Sequence, residues 1–366
     1  MKLRSAVIGF AHVHTPGLVE QLTATNAVEW IAFADLPEKK ASISLQEGTR
    51  RANIQACMQY AGNQKVYTDY HHLLSENKID FALCCAENAL HGKVIGDMLL
   101  RGVHVLVEKP MATSMADALA IADAARRGHA KIIVNWPSTW NCSIRLAHQL
   151  MMDGAIGKPF RFHFRNGTSL GPFSYGQDLS DTEKGAEWWY DASLGGGAYW
   201  DYCCYGACLS SWFLGKPPVA AMAMRANFNS SFGDAEDFAA MLVRYPDAVS
   251  ILEGSWVTLA SGVPGGPVIH GSKGTLVTLN DRVHIYEDRY SMEPTQILMA
   301  PPLPEGRGNA GEEVIHHLKT GEPLHPTLDL PLNLQAMSVL DAGYRSSLSG
   351  KLETAANAHW AVGRIG

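Results

Sequence analysis

Leu3-Arg4-Ser5-Ala6-Val7-Ile8-Gly9-Phe10-Ala11-His12-Val13-His14-Thr15-Pro16 opens the chain with a short apolar run that ends in glycine and leads straight into a helix start. Thr15 can cap free amides, and Pro16 in the first turn of a helix forfeits no hydrogen bond. Strand, glycine turn and helix form the first unit of a dinucleotide-binding sheet, where G-x-G-x-x-G usually stands. Of its three glycines only Gly9 is present. Gly9 makes the tight turn, Ala11 lets backbone amides approach a pyrophosphate nearly as closely as glycine would, and His14 fills the place that packs helix on strand. With Phe10 and His12, these residues are the first candidate cofactor contacts. Asp35, a little over twenty residues on at the end of the second strand, can bond both hydroxyls of an adenosine ribose and would repel a 2′-phosphate. NAD is favoured on that ground, while Lys39 and Lys40 leave NADP open.

Outward from this unit, short β-branched runs alternate with amphipathic stretches as in a parallel sheet with crossover helices. Strands are expected at 3–8, 28–34, 66–67, 79–85, 104–107 and 131–134, and helices at 15–25, 38–62, 71–76, 90–101 and 114–127. A helix at 142–152 precedes the turn-rich Asp153-Gly154-Ala155-Ile156-Gly157-Lys158-Pro159, after which the pattern changes. Strands at 160–168, 220–228, 238–245, 250–258, 267–270, 275–279 and 283–286 then read as a mostly antiparallel sheet, interrupted by a helix at 197–213. Residues 291–308 read as loop, and 312–319 and 332–348 as closing helices. The fold class is therefore α/β plus α+β: a doubly wound parallel sheet followed by an open, mostly antiparallel sheet flanked by helices. The expected divisions are 1–140 for the nucleotide-binding domain, 141–330 for substrate binding and oligomerisation, and 331–366 for a helix and tail that pack back.

Composition narrows the class. The 366 residues exceed what one core usually fills, and 46% are hydrophobic. Thirty Lys and Arg against 36 acids, for a net charge of -6, leave no basic footprint for nucleic acid. Seven cysteines in an odd count suit reduced thiols, so a cytoplasmic location is expected, and Cys203, Cys204 and Cys208 read as small packing residues. No stretch reads as a membrane span or as a secretory leader. His12 and His14 have metal-ligand spacing, but no other His or Cys spacing converges on them. No metal is expected, and the pair should line the pyrophosphate or fill a helix-strand gap.

The run His104-Val105-Leu106-Val107-Glu108-Lys109-Pro110 puts a lysine just beyond a buried strand, at the edge where open α/β sheets bind ligands. Together with Ile79-Asp80-Phe81-Ala82-Leu83-Cys84-Cys85-Ala86-Glu87-Asn88-Ala89-Leu90-His91, it resembles the glucose-fructose oxidoreductase and inositol dehydrogenase (Gfo/Idh/MocA) family. Gly195-Gly196-Gly197-Ala198-Tyr199-Trp200-Asp201-Tyr202-Cys203-Cys204-Tyr205 is similar to that family's glycine turn and active-site helix, with Tyr where many relatives have His. Asp341-Ala342-Gly343-Tyr344-Arg345 is similar to its C-terminal helix. The resemblance implies a Rossmann domain, NAD or NADP, and a sugar, cyclitol or related polyol as substrate. It also implies a homodimer or homotetramer built through the C-terminal sheet. Ala86, Glu87, Asn88, His91, Glu108, Lys109 and Pro110 then face the cofactor, although the family usually has Thr-Pro-Asn where Ala86 and Glu87 precede Asn88.

Oxidising a carbinol requires a proton to leave oxygen as hydride leaves carbon, and a free phenol is a poor base at neutral pH. An ammonium at Lys109 would lower the Tyr205 pKa toward the working range, and Asp201, four residues earlier on one helical face, would orient substrate or lysine. Lys109, Tyr205 and Asp201 are thus the expected catalytic set. Asn135, Trp136, Trp140, Trp188 and Trp189 join Asp201 and Tyr205 as candidate sugar contacts, since aromatic faces pack on C–H groups while amides bind hydroxyls. Two other functions fit the same sequence: a lyase or glycosidase that oxidises its sugar transiently, and a nucleotide-binding sensor without chemistry.

Overall fold

A computed structural model describes residues 2–167, 171–173, 179–259 and 262–355. The expected strand end at Thr168 and the tail 356–366 lie outside them. Six strands form the first sheet: β1 (Leu3–Ile8), β2 (Val28–Ala34), β3 (Val66–Tyr67), β4 (Phe81–Cys84), β5 (His104–Glu108) and β6 (Ile132–Asn135), all parallel in the order β3-β2-β1-β4-β5-β6. The order reverses direction between β1 and β4, which opens a crevice at their carboxyl ends. Helices α1 (Thr15–Ala24), α2 (Arg50–Ala61), α3 (Tyr70–Glu76), α4 (His91–Leu99) and α5 (Met115–Gly128) make the crossovers. β4 is buried along its whole length and β5 along nearly all of it, as the unbroken Val, Leu and Ala runs require when both faces are covered.

After α6 (Cys142–Met152) the second sheet begins with β7 (Pro159–Gly167). A short α7 (Asp181–Ala186) and α8 (Cys204–Leu214) precede β8 (Ala220–Ala226), β9 (Phe238–Arg244), β10 (Val249–Ser255), β11 (Val268–Gly271), β12 (Thr275–Leu279), β13 (Arg282–Tyr286) and β14 (Gln296–Met299). Then follow α9 (Ala310–Thr320), α10 (Leu330–Ser349) and β15 (Glu353–Thr354). The strand order is β14-β13-β12-β11-β7-β10-β9-β8-β15, antiparallel except for β7 beside β10. On β8, Ala221 and Ala223 point into the core under α10, while Met222 and Met224 face outward, the period-2 alternation of a sheet covered on one side. α9 packs on α1, with Gly311 so close that a Cβ there would meet Gln21 backbone at 2.6 Å.

Three expectations are corrected. The helix expected over 38–62 begins only at Arg50; residues 38–49 run as a bent segment that turns at Gly48 (φ +87°), because polar anchors on the second domain hold it extended. Within 291–308, read as loop, Gln296–Met299 adds a strand by pairing with β13. The helix expected over 197–213 is two pieces, a π-helical turn at Tyr199–Cys203 followed by α8. Thr15 also differs in detail: its hydroxyl donates to the His12 carbonyl at 2.5 Å and caps no amide.

Candidate active site

Gly9 sits at the floor of the crevice with φ +80°, and a Cβ there would lie 2.7 Å from the Ala86 backbone. Only glycine lets the β1 and β4 loops approach this closely. Phe10 turns away into the core against Phe33, with ring centroids 5.3 Å apart, so its side chain does not line the crevice. The backbone of Ala11 is engaged on both sides: its amide donates to the Cys85 carbonyl at 2.9 Å and its carbonyl accepts the Trp188 indole N–H at 2.7 Å. The Ala11 amide is thus not itself available to a pyrophosphate.

Lys109, beyond β5, reaches across to the π-helical turn. Its Nζ donates to Asp201 Oδ1 at 2.5 Å and to the Asp201 carbonyl at 2.9 Å, and lies 4.8 Å from the Tyr205 ring centroid. The lysine is 2% exposed. Burial alone would lower its pKa, but the Asp201 carboxylate outweighs that and holds the ammonium well above its usual range. The Asp201 Oδ2 accepts the Trp256 indole N–H at 3.0 Å, so both carboxylate oxygens are fixed. Tyr205 departs from expectation: burial pushes its phenol well above the ordinary value, and the pull of Lys109 in the other direction does not overcome it. Both groups are therefore protonated at neutral pH. All three side chains line a cavity of about 200 Å³ together with His12, His14, Trp189, Asn166 and Tyr202.

His12 and His14, on the loop after β1, converge on Glu108 at the end of β5. His12 Nε2 is 3.6 Å from Glu108 Oε2, and His14 Nδ1 is 3.3 Å from Oε1. Asn135 Nδ2 donates to the same Oε1 at 2.6 Å. Burial lowers the His12 pKa well below the usual imidazole range, so the ring is neutral. Burial alone would raise the pKa of Glu108, but its neighbours bring it below the usual carboxylate range; with the His12 ring neutral, the hydrogen bond from His14 and the Lys109 ammonium keep the carboxylate ionised. The sequence reading sought partners for the two histidines among His and Cys only; the group that meets them is a carboxylate 94 residues after His14.

The aromatic candidates divide. Trp189 lines the cavity, its ring 4.9 Å from that of His12. Trp188 packs over Ala11 in a cluster with Phe173 and Tyr202. Trp136 is buried behind Tyr205, edge to ring at 5.8 Å, with its indole N–H on Asn333 at 2.8 Å. It supports the phenol and does not reach the cavity, a correction to its expected sugar contact. Trp140 and Asn135 border a neighbouring cavity on the far side of His14.

At the other end of the crevice, Asp35 is bonded by Arg50, with Nη2 to Oδ1 at 2.7 Å and Nε to Oδ2 at 3.0 Å. Arg50 Nη1 also donates to Glu87 at 2.5 Å. Burial opposes the guanidinium charge, but Asp35 and Glu87 hold it firmly ionised. Residues 38–49 cross to the second domain here, through Lys39 to Asp191 at 2.6 Å and the Ser42 hydroxyl to Glu187 at 2.5 Å. The cavity left is about 20 Å³. Sequence reasoning missed Arg50, which falls inside the helix expected over 38–62, where nothing local pairs it with Asp35 or Glu87. His91 bridges the loops, its ring nitrogens 2.9 Å from the Pro110 carbonyl and 3.1 Å from that of Ala86, so its imidazole is taken up holding the crevice wall.

Five buried polar atoms around the crevice have no partner among the described residues: His12 Nε2, Glu87 Oε2, Asn88 Oδ1, Asn135 Oδ1 and Trp189 Nε1. Buried groups of this kind are nearly always satisfied, so this cluster matches a polar ligand that completes it. Trp189 Nε1 can donate and Asn135 Oδ1 can accept, which suits the amide of a nicotinamide nucleotide, while Glu87 Oε2 lies beside Arg50 at the Asp35 end.

Two family models match the chain: "Oxidoreductase family, NAD-binding Rossmann fold" over residues 6–136 and "GFO/IDH/MocA C-terminal domain" over 144–277. An inositol 2-dehydrogenase from Salmonella paratyphi B is 22% identical over 167 residues, 45% of this chain and 46% of that protein, so the chain spans about half the length of the curated relatives it matches. Solved structures align more fully. An aldose-aldose oxidoreductase from Caulobacter crescentus complexed with glycerol has a TM-score of 0.74 at 20% identity, covering 97% of this chain and 100% of its own. A dehydrogenase from Bordetella pertussis in complex with NADH and UDP-GlcNAcA has a TM-score of 0.74 at 19% identity, covering 98% and 100%. At these identities the likeness is one of fold.

Proposed function

The chain belongs to the Gfo/Idh/MocA oxidoreductase family, with an NAD-binding Rossmann domain, and from that premise we propose that it transfers a hydride between NAD and a secondary alcohol of a sugar, cyclitol or related polyol. The observation that carries the reading is the meeting of Lys109 from the first domain with Asp201 and Tyr205 from the second in one polar cavity. Inositol and aldose in the names of similar proteins support the substrate class.

Bound NAD supplies the hydride acceptor. Asp201 takes two of the three ammonium protons of Lys109 and leaves the third for a substrate oxygen in the cavity. Lys109 and Tyr205, both protonated at rest, hold the mobile proton: one of them delivers it to a carbonyl oxygen in reduction, and in oxidation one of them first releases its proton to solvent and then takes the proton of the alcohol. Trp136 fixes the phenol from behind, and Trp256 fixes Asp201. At the adenosine end, Asp35 Oδ2 accepts from Arg50 alone and retains capacity for a ribose hydroxyl. Lys39 and Arg50 are already paired with carboxylates, which disfavours a 2′-phosphate and supports NAD.

The outer face of the second sheet supports assembly of like chains. Met222, Leu242 and Ile251 lie side by side in register, and Met222, Met224 and Leu242 are exposed. An apolar patch of this kind marks an interface. Leu242→Glu should shift the mass in light scattering toward the monomer.

Tyr205→Phe tests the central reading. NADH formation over a panel of polyols should fall by at least about a hundredfold, with NAD affinity retained; an unchanged rate removes Tyr205 from proton transfer.

A further inference from the structure

The cavity end of the crevice carries a cluster of imidazoles and a carboxylate to which the hydride-transfer reading gives no step in the chemistry. We propose that His12, His14 and Glu108 form a site for a divalent cation of the zinc class, open toward the cavity lined by Lys109 and Tyr205. One donor atom from each residue lies within 4.8 Å of the others. The closest pairs are 3.3 Å for His14 Nδ1 to Glu108 Oε1 and 3.6 Å for His12 Nε2 to Oε2, near the edge of ~3.3 Å that four ligands at about 2.0 Å around zinc would have. Two imidazoles and one carboxylate are an established donor set for an open catalytic zinc, with the fourth position left for water or substrate.

A second observation points the same way. His12 Nε2, on a ring 1% exposed, has no hydrogen-bond partner among the described residues. Its Nδ1 accepts the His14 amide at 3.2 Å, a long bond. Ligation at Nε2 moves the ring proton to Nδ1, where it would face the His14 N–H, so a bound cation requires this long contact to open. Outside the ligands, the Asn135 amide at 2.6 Å and the Lys109 backbone N–H at 3.2 Å hold the two oxygens of Glu108 in place, as outer donors do around a ligating carboxylate. The Lys109 ammonium, although close, is matched by Asp201. A cation here would face the same substrate oxygen as Lys109 and so act as a Lewis acid beside it.

The test uses the full chain, stripped with a chelator and titrated with Co²⁺ while its visible bands are recorded, then with Zn²⁺ by calorimetry. One equivalent per chain is expected, with two imidazoles counted by X-ray absorption. His14→Ala and Glu108→Gln should each weaken binding by about a hundredfold or more, and Asn135→Ala by about tenfold. His14 is a quarter exposed, so its variant remains informative if Glu108→Gln does not fold, and circular dichroism checks both. Absence of stoichiometric binding by the parent chain, or an affinity unchanged in both ligand variants, overturns the site. NAD binding to the stripped protein is measured separately, so this outcome does not decide the dehydrogenase reading.

Discussion

The two ends of the crevice are built from similar residues in opposite states. At the Lys109 end, imidazoles, amides and an indole surround open space with polar atoms left unmatched. At the Asp35 end, carboxylates and cations are matched to one another apart from Glu87 Oε2, and the segment 38–49 closes over them. The difference teaches that a dinucleotide site can be prepared for chemistry at one end and for entry at the other. In the proposed function, the groups that act keep spare hydrogen-bonding capacity, and the groups that recognise are ion-paired until a ligand competes for them.

Variants can separate the ends. Lys109→Met should lower kcat by about a thousandfold while leaving NAD affinity within a few-fold, read by steady-state kinetics and fluorescence titration. A parallel loss of affinity would mean that the two ends are not independent. Arg50→Met strands Asp35 and Glu87 as unmatched buried charge and should cost about 3 kcal/mol, seen as a Tm lower by about 6 °C. An unchanged Tm would show the ion-paired end to be solvated. Asp35→Asn should weaken NAD about tenfold and narrow its advantage over NADP, with kcat preserved.

The smallest effect comes from a region remote from both ends. His148 stacks on Trp212 at 4.0 Å and His325 meets the same ring at 4.8 Å; burial lowers their pKa values to about 4 and about 3. Both lie below the unfolded value near 6.5, so the unfolded chain binds protons first as pH falls. Their contribution to stability is complete above about pH 6.5 and declines toward pH 4. A Tm about 3 °C lower at pH 5 than at pH 7, reduced in His148→Phe, checks this without involving the crevice.

Much of this was legible in the sequence because it is local. Short apolar runs gave every parallel strand, and the Glu108-Lys109-Pro110 and Gly195-Gly196-Gly197 runs located the residues that meet at the cavity. What was not legible depends on distant partners. Residues 38–49 have a helical composition, but Ser42 and Lys39 bond residues of the second domain 145 and 152 positions later. Trp136 reads as a sugar platform until Asn333 and Tyr205 are seen to hold it. The direction of the Tyr205 shift turned on burial, which neighbouring charge in a sequence does not disclose.

The wide turn at Tyr199–Cys203 determines how this helix can be altered. Such turns accommodate one surplus residue within a regular helix. Deleting one residue there would restore an unbroken spiral with better local bonding, yet rotate all that precedes the cut by about 100° relative to α8. Asp201 would swing off the lysine while Tyr205 stayed put. A shortened protein of that kind should keep its shape and lose its partnership across the domains, so the wide turn is what brings Asp201 and Tyr205 to the lysine together.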